Sequence, residues 1–364
     1  MPSFWETDSL LQNDISIIGG GILGLWTAYE LSLKYPNAKI AIYERELYAS
    51  GATSRNAGFA CFGSLTEILT DRKQWGDKKT LEIIKNRWLG IQAIQSLIGD
   101  EIDYHNYGGY ELLFDDKIDS KIIDEVNDFL YPIFGQVVFQ LVKNRLCDFG
   151  FGNEVKQLLY NSLEGQLHSG KLILALHRRI RSRNISFFSN SEITDYNSGE
   201  EVTLEVNGKT KVNTNKLIFC TNAFLPDQSL LIKPGRGQVL ITEPVLDLPW
   251  KGCFHFHEGY YYFRNVGNRI LFGGGRHLDF EKESTTEFEL NQKIQEDLIN
   301  KLHTIISPNK RLEIEQQWSG IMAFTENKLP KILQLGQNTI YAMNCNGMGV
   351  SLSPITALEI AKLN

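Results

Sequence analysis

Three glycines and one acid have the residue types and spacing that bind a nucleotide. Gly19, Gly21 and Gly24 fit the pattern G-x-G-x-x-G, and Glu44 follows twenty residues after Gly24. In this pattern the first glycine permits a tight turn, the second lets the backbone approach a pyrophosphate, and the third lets a helix pack against a strand. The acid can accept hydrogen bonds from an adenosine ribose. The sequence therefore predicts a dinucleotide site.

The residues around these glycines have the periodicity of a strand followed by a helix. Residues 15–18 are apolar and predict a short buried strand, and apolar residues recur at helical spacing over 25–33. The helix then begins at Ile22 and Leu23, with its N-terminus toward the phosphates. A second strand, 39–43, ends at the acid. An ordinary strand–helix–strand unit with turn glycines is the alternative, but the complete order of elements favours the nucleotide site.

A small, polar, glycine-rich stretch, 49–59, follows the acid. Its hydroxyls and amides suit phosphate oxygens, and a plain loop is the alternative. Glu44 disfavours a 2′-phosphorylated nucleotide because two anions would repel, whereas the neighbouring Arg45 weakens that argument. We expect the following residues at the cofactor: Arg45, Ser54, Arg55, Asn56, Ala57 and Gly58.

The composition is that of an ordinary globular protein. Of 364 residues, 37 are Lys or Arg and 43 are Asp or Glu, so the net charge is −6. A nucleic-acid binder needs clustered Lys and Arg for its phosphate contacts, so nucleic acid is not expected as a partner. The densest basic run, 177–183, is interpreted as the solvated face of a helix. The length predicts a large core and two domains.

The cysteines argue against a zinc site and against a disulfide framework, because none of them has C-x-x-C spacing. They are Cys61, Cys147, Cys220, Cys253 and Cys345. No apolar run approaches the ~20 residues of a membrane span. Residues 1–11 lack the positive start and apolar core of a signal peptide. We therefore expect no metal, no membrane span and a cytoplasmic location.

The stretch 51–58 closely resembles a segment of the D-amino-acid-oxidase-type (DAO) FAD-dependent oxidoreductases, the group of glycine oxidase, monomeric sarcosine oxidase and the putrescine-pathway oxidases. In that family a G-A-S-S-R-N-x-G-like segment follows the dinucleotide motif and the acid. Four later segments resemble the family motifs P-x-R-G-Q, L-x-x-G-G-G, W-x-G-L-R-P-x-T-x-D-G-x-P and G-x-G-H-G-V-x-L-A-P. In the same order they are 234–238, 270–276, 317–330 and 346–354. The resemblance thus covers nearly the whole chain.

The resemblance implies an α/β fold. A Rossmann-like FAD-binding domain of the glutathione-reductase type would be interleaved with an α+β substrate domain built on an antiparallel sheet. The FAD-binding domain would combine residues 1–75, 145–235 and 310–364. The substrate domain would combine residues 76–144 and 236–309.

The matched motifs also imply further contacts with FAD. The residues concerned are Ile193 at the adenine, then Thr221, Asn222, Gly320, Gly347, Met348, Gly349 and Val350. Asn222 stands where the family strand V-V-x-A-T-G-A has glycine, and asparagine tolerates left-handed geometry better than most residues. His168, in a segment resembling G-x-x-H-P-G-K-L, is interpreted as a helix-capping or packing residue rather than a catalytic base.

Two departures from the family pattern concern the substrate and the flavin. The arginine of G-L-R-P, which grips the substrate carboxylate in amino-acid oxidases of the family, is Met322 here. Either Arg264 or Arg276 takes over that role, or the substrate lacks the carboxylate. The histidine of the last motif is Met348. The expected substrate pocket contains Tyr262, Arg264, Arg276 and Met322.

The mode of FAD binding is also predicted from the resemblance. Monomeric sarcosine oxidase tethers its flavin through a cysteine near the W-x-G segment, and no cysteine lies between Trp318 and Pro330. We therefore expect non-covalent FAD. Cys61 and Cys345 lie in motifs near the expected flavin and are interpreted as apolar neighbours.

The implied reaction is oxidation of a C–N bond of an amine or amino acid, with hydride transfer to flavin N5 and hydrolysis of the imine. The electron acceptor would be O2 or a carrier, and no catalytic acid or base can be identified from the sequence. Three alternatives stay open. They are a flavin-dependent hydroxy-acid dehydrogenase on the same fold, an oxidase that modifies tRNA, and a binding protein that holds the nucleotide without turnover. The net negative charge and the absence of a partner domain weigh against the tRNA enzyme.

Overall fold

The computed structural model describes residues 1–142, 145–199, 201–225, 230–344 and 346–363. Their α-helices are α1 Phe4–Ser9, α2 Ile22–Lys34, α3 Ala52–Arg55, α4 Leu65–Trp75, α5 Asp77–Ile98, α6 Ser120–Phe134, α7 Arg145–Phe149, α8 Ser169–Arg181, α9 Gln292–Lys301 and α10 Gly349–Leu363. Local chemistry explains several of the ends. The Ser64 hydroxyl caps α4 by accepting a hydrogen bond from Glu67 N, and α6 ends at Gly135 in the left-handed region. His168 caps α8 through Nδ1, which accepts from Lys171 N at 3.2 Å, so the capping interpretation is confirmed.

The strands lie in two large sheets and one small sheet. In chain order they are β1 Gln12–Ile18, β2 Ile40–Tyr43, β3 Phe59–Ala60, β4 Gly109–Leu113, β5 Phe139–Leu141, β6 Gln157–Asn161, β7 Gly165–Gln166, β8 Ile185–Phe188, β9 Ile193–Tyr196, β10 Val202–Val206, β11 Thr210–Phe219, β12 Lys233–Thr242, β13 Cys253–Phe256, β14 Tyr261–Val266, β15 Arg269–Gly274, β16 Ile314–Phe324, β17 Lys331–Gly336 and β18 Thr339–Met343. The small sheet pairs β3 with β7.

The first large sheet is parallel at its centre. Its main order is β17-β18-β11-β1-β2-β8, and the pairs β18–β11, β11–β1, β1–β2 and β2–β8 are all parallel. Strand β2 is buried at every position, as expected for a parallel strand covered on both faces. Helices α2, α8 and α10 contribute to one apolar core with β1 and β2. The carboxyl end of β1 therefore lies at the centre of the sheet, where ligands bind in folds of this kind.

The second large sheet is mainly antiparallel. Its order is β16-β12-β15-β14-β13-β4-β6-β5, and only the pair β13–β4 within it is parallel. One face packs on α9 through an aromatic core that includes Phe254, Phe263 and Phe272. The second half of strand β16 alternates in burial, because Ser319, Ile321 and Ala323 are buried while the residues between them are only partly buried. That half-exposed row faces a cavity between the two sheets.

The predicted α/β class with a second, antiparallel sheet is confirmed. The division into domain segments stays a prediction, and two strands that fall inside the predicted FAD segments, β6 and β16, pair within the second sheet. No helix in the described ranges has both the length and the apolar character needed to cross a membrane.

Candidate active site

The glycine turn has the geometry that its sequence predicts. Gly19 has φ +102, and a Cβ there would lie 2.7 Å from the carbonyl oxygen of Cys220. A Cβ at Gly24 would overlap the carbonyl oxygen of Gly19, so this glycine permits the close contact between α2 and the turn. Gly21 is the N-cap of α2, and a Cβ there would meet only the Thr53 hydroxyl, at 3.0 Å. The backbone at Gly21 is therefore open toward the cavity.

Glu44 is held at the end of β2 by backbone amides. Oε2 accepts a hydrogen bond from Gly20 N at 2.8 Å, and Oε1 accepts from Glu46 N at 3.1 Å. The side chain is buried, and burial raises its pKa against the effect of these hydrogen bonds. The guanidinium of Arg45 lies 4.2 Å from the centre of the Phe224 ring. Glu44 and Arg45 both line the cavity.

The stretch after the acid forms the short helix α3 and a turn that is tied to its neighbours. The Asn56 amide donates to Thr53 O at 2.5 Å, and its oxygen accepts from Gly58 N at 2.9 Å. Arg55 donates from Nε to Ser50 O at 2.7 Å and from Nη1 to Ser319 O at 3.0 Å. We call residues 49–59 the phosphate-type loop. Most of these bonds lie within it, and the bond from Arg55 Nη1 attaches it to β16, a strand of the second sheet.

The turn after β11 adopts the conformation expected for its asparagine. Asn222 has φ +55, in the left-handed region, which confirms that it replaces a glycine without loss of the turn. Its amide donates to Ile321 O at 2.8 Å and its oxygen accepts from Ala323 N at 3.1 Å. Thr221 lines the cavity, and its buried hydroxyl has no hydrogen-bond partner among the described residues. Because a buried hydroxyl without a partner is costly, this atom points to a ligand group.

The last motif forms a second left-handed turn before α10. Asn346 has φ +41 and Gly347 has φ +79. The Asn346 side-chain oxygen accepts from Thr325 N at 2.7 Å, which joins this turn to the segment after β16. Met348 contacts Cys61 with a sulfur–sulfur distance of 3.8 Å. Cys345, interpreted above as an apolar neighbour of the flavin, lies outside the described residues.

One row of paired residues crosses the second sheet above the cavity. Val239 pairs with Gly273, which pairs with Tyr262, which pairs with His255, which pairs with Glu111. Directly paired residues of neighbouring strands share one face of a sheet. The Tyr262 ring lies across Gly273, since a Cβ at that glycine would be 2.6 Å from the ring. Burial raises the pKa of Tyr262 to about 12, so its phenol stays neutral.

Two further glycines make room for side chains at the other end of this surface. A Cβ at Gly237 would be 2.9 Å from Met322 Cε, and a Cβ at Gly235 would overlap Arg276 Nη1. Gly235 is the cross-strand partner of Met322 in the β12–β16 pair. The guanidinium of Arg276 therefore lies beside the position where the family motif has its arginine.

Arg276 is half-buried against aromatic rings. Its guanidinium carbon lies 4.0 Å from the centre of the Phe324 ring and 4.9 Å from that of Phe280. The guanidinium itself forms no hydrogen bond and no ion pair with the described residues. Burial lowers its pKa, but an arginine remains a cation at neutral pH. A cavity-lining cation of this kind suits an anionic ligand.

Arg264 is placed differently from what the sequence suggested. It does not line the cavity. Its Nε donates to Ala57 O, and Nη2 donates to Leu167 O at 3.0 Å. The guanidinium is thus used to join β14 to the backbone of the phosphate-type loop and of the segment before α8. Of the two arginines considered above, only Arg276 has a guanidinium available to a substrate.

Most of the predicted site residues surround one cavity of about 1000 Å³, at the upper end of the range for small-molecule sites. The predicted residues that do not line it are Gly24, Ser54 and Arg264. Ser54 is half-buried behind Thr53, whose hydroxyl accepts from Ile22 N at 3.0 Å and does line the cavity. The others converge there, although they come from segments far apart in the chain.

Sequence reasoning missed a group of charges in the cavity wall. Lys328 donates to Glu67 at 3.0 Å and to Asp71 at 2.8 Å, and the fully buried Arg87 donates to Glu67 at 3.2 Å. Lys328 occupies the glycine position of W-x-G-L-R-P-x-T-x-D-G-x-P and has φ +55. This departure from the motif was visible in the sequence. Nothing in the sequence indicated which carboxylates it meets.

A second group that sequence reasoning missed is a buried histidine and its carboxylate. His255 Nε2 lies 3.0 Å from Glu164 Oε2, and the imidazole lines the cavity beside Tyr262. The two residues are 91 positions apart in the chain. Without a structure, no local pattern joins them.

The residues fit FAD in this cavity. The open backbone at Gly21 suits the pyrophosphate, Glu44 suits a ribose, and the unpartnered Thr221 hydroxyl suits a polar group of the ligand. The turn at Gly347 and the N-terminus of α10 lie on the same cavity. The contact that each residue makes with FAD stays a prediction.

Comparisons with known proteins agree with this site. A family model described as FAD dependent oxidoreductase (DAO) matches residues 14–363. Glycine oxidase of Geobacillus kaustophilus is 22% identical over 369 residues, which cover 96% of this chain and 92% of that protein.

Two solved structures show the same fold. L-proline dehydrogenase from P. horikoshii superposes with a TM-score of 0.78 at 17% identity, over 97% of this chain and 93% of the other. Glycine oxidase from Geobacillus kaustophilus superposes with a TM-score of 0.73 at 19% identity, over 97% and 94%. With the family model spanning almost every residue, the chain belongs to the family of FAD dependent oxidoreductases, and FAD is its cofactor.

Proposed function

We propose that this enzyme oxidises the C–N bond of an amino acid whose carboxylate binds Arg276. FAD, when bound, supplies the acceptor at N5 for the hydride that leaves the substrate carbon. The resulting imine is released to hydrolysis. The observation that carries the proposal is the position of Arg276, because it is a cavity-lining guanidinium without a carboxylate partner among the described residues.

The arrangement around Arg276 supports a carboxylate-bearing substrate. Arg276 reaches over Gly235, the partner of Met322, so the cation that the family motif places on β16 is supplied here from the segment after β15. A planar guanidinium binds a carboxylate with two parallel hydrogen bonds and so fixes its orientation as well as its position. The flat surfaces of Phe324 and Phe280 hold the guanidinium in place. The methionine at position 322 therefore does not remove the carboxylate site. The cation instead lies one strand away from β16, over β12.

The rest of the substrate would lie along the row that crosses the second sheet. Tyr262 covers Gly273 with a neutral ring, and Met322 covers Gly237 with an apolar side chain. These side chains exclude water from the reacting carbon and hold the substrate against the cofactor. In this arrangement the protein orients the substrate, and the cofactor carries the redox chemistry.

The test is an anaerobic titration of the FAD-loaded protein, followed by absorbance of the flavin. The panel contains α-amino acids, N-methyl amino acids, the amines that lack their carboxylates, and hydroxy acids. Bleaching by amino acids, with release of ammonia or an amine, is the expected result. Bleaching by hydroxy acids alone would replace the proposal with a hydroxy-acid dehydrogenase. Bleaching by amines without a carboxylate, at equal concentrations, would remove Arg276 from the substrate site.

A further inference from the structure

Two arginines and two phenylalanines contact one another beside the cofactor site. The guanidinium carbon of Arg45 lies 4.2 Å from the centre of the Phe224 ring, and that of Arg55 lies 4.5 Å from the centre of the Phe288 ring. The two rings are stacked, with their centres 6.3 Å apart and an angle of 27° between their planes. Each ring therefore contacts one guanidinium and the other ring. We call these four residues the clasp.

The members of the clasp come from four separate parts of the chain. Arg45 lies directly after β2, Arg55 ends α3, and Phe224 lies in the turn after β11. Phe288 lies in the segment between β15 and α9, next to the second large sheet. The clasp is therefore a contact between residues around the nucleotide turn and a segment that belongs to the other sheet.

The segment that carries Phe288 is fixed by a buried ion pair. Glu283 is fully buried and accepts hydrogen bonds from Arg236 Nη2 at 2.8 Å and from Gln238 Nε2 at 2.9 Å. Arg236 Nη1 donates to Glu287 O at 3.1 Å, directly before Phe288. Because Arg236 and Gln238 lie on β12, these bonds attach the backbone beside Phe288 to the second sheet. The ring therefore has a fixed position.

The clasp borders the part of the cavity that suits a nucleotide. Arg45, Arg55 and Phe224 line the cavity, and Thr286, on the same segment as Phe288, lines it too. Arg45 directly follows the acid that suits a ribose, and Arg55 lies in the phosphate-type loop. The Nε and Nη1 atoms of Arg55 donate to backbone oxygens, whereas its Nη2 has no hydrogen-bond partner among the described residues. One N–H edge of Arg55 is therefore left for an anionic group.

We propose that the clasp retains FAD by holding two guanidinium groups at the nucleotide half of the cofactor. A long arginine side chain loses rotamer freedom when it binds a phosphate, and a ring that already fixes the guanidinium reduces this loss. Stacking uses the face of the guanidinium and leaves its N–H edge for the anion. Phe288 is then a positioning residue, because it acts on FAD through Arg55 and Phe224. This inference depends on FAD as the cofactor and not on the substrate.

The experiment measures how fast FAD leaves the holoenzyme after dilution, followed by the fluorescence of the released flavin. Phe288→Ala should speed the release about 5- to 30-fold, since one cation–π contact and one ring pair are lost. The Phe288 side chain is 37% exposed, so its removal takes little from the core. Leu290→Ala is the matched control, because it shortens an apolar side chain that is 49% exposed on the same segment but outside the clasp. L290A should release FAD at the unaltered rate.

Two conservative variants separate the stacking from the bulk of the side chain. Phe288→Tyr keeps the ring and should release FAD at nearly the unaltered rate. Phe288→Leu keeps an apolar side chain without a ring and should resemble F288A. Phe224→Ala should also speed the release. The double variant F224A/F288A should then be faster by less than the product of the two single effects, because the ring pair is lost only once.

Competition with ADP shows which half of FAD the clasp holds, because ADP has the nucleotide half alone. At the same excess of free FAD, the ADP concentration that displaces half of the bound FAD should be equal in F288A and in the unaltered enzyme, since both ligands lose the same contacts. A lower concentration in F288A would assign the effect to the flavin half and overturn the proposal. Release from F288A or F288L at the unaltered rate would overturn it as well, and so would equal acceleration in L290A.

Discussion

The position of the carboxylate site can be tested by moving the guanidinium from the segment after β15 to strand β16. Arg276→Met removes the guanidinium, and Met322→Arg places one on the partner of Gly235. A charge-assisted hydrogen bond contributes about 1.5–3 kcal/mol, so R276M should weaken binding of an amino acid about 10- to 150-fold. The double variant R276M/M322R should regain about 1 kcal/mol or more, because a guanidinium returns to the same end of the cavity.

M322R alone should not improve binding. Two guanidinium groups about 4 Å apart repel each other by about 1–4 kcal/mol, depending on how well water screens them. The added side chain would also have to share the space above Gly237, which Met322 now covers. A gain in affinity from M322R alone would therefore mean that Arg276 does not occupy this end of the cavity.

The assay compares an amino acid with the amine that lacks its carboxylate, each titrated anaerobically into the FAD-loaded variant. R276M should weaken the amino acid and leave the amine unchanged. Arg269→Gln is the matched control, since Arg269 lies on β15 and pairs with Glu315 at the surface. An equal loss for both ligands, or an equal loss in R269Q, would refute the assignment of the carboxylate to Arg276.

Three further predictions concern the cofactor site and the buried charges. Gly21→Val should abolish FAD binding, measured as flavin absorbance per protein, because the valine side chain would fill the space above the turn. Gly51→Ala should leave binding intact, because a Cβ there meets nothing within 4 Å. Glu44→Ala should weaken FAD by about 1–3 kcal/mol, measured by titration of the apoprotein, through a lost charge-assisted hydrogen bond. Glu67, paired with Lys328, has a folded pKa of about 2 and so stabilises the protein above its unfolded pKa, near 4.5. That stabilisation is lost as the pH falls from about 4.5 toward 2, and E67Q should flatten this part of the dependence in urea unfolding.

Each of these predictions can fail in a recognisable way. A yellow G21V protein would contradict the assignment of the pyrophosphate to the glycine turn. Unchanged FAD affinity in E44A would mean that the Glu44 carboxylate only accepts hydrogen bonds from its two backbone amides and does not contact FAD. If the free energy of unfolding of E67Q depends on acid pH just as that of the unaltered protein does, Glu67 has the same pKa in the folded and the unfolded state.

The sequence predicted the nucleotide end of the site well because the requirements there are local. The turn at Gly19, the contact of Gly24 with the turn, and the acid after β2 are all set within about thirty residues of chain. Asn222 shows the same principle, since its left-handed backbone was expected from the glycine that the family motif has there and from the tolerance of asparagine for that conformation. Short strands such as β5 and β6 were not predicted. Their pairing partners lie far away in the sequence, and their own residues carry little periodicity.

The substrate end depended on the tertiary structure. Arg264 lies within the aromatic strand β14 and Arg276 follows β15, and the sequence could not rank them. In the structure Arg264 donates to backbone carbonyls, whereas Arg276 faces the cavity. Lys328 meets Glu67 across 261 residues, and His255 meets Glu164 across 91. The sequence by itself determined the family, the cofactor and the turn that receives its phosphates, because those depend on backbone conformation at fixed spacing. Only the folded chain decided which charges share the cavity, because that depends on strand register and on what else competes for each side chain.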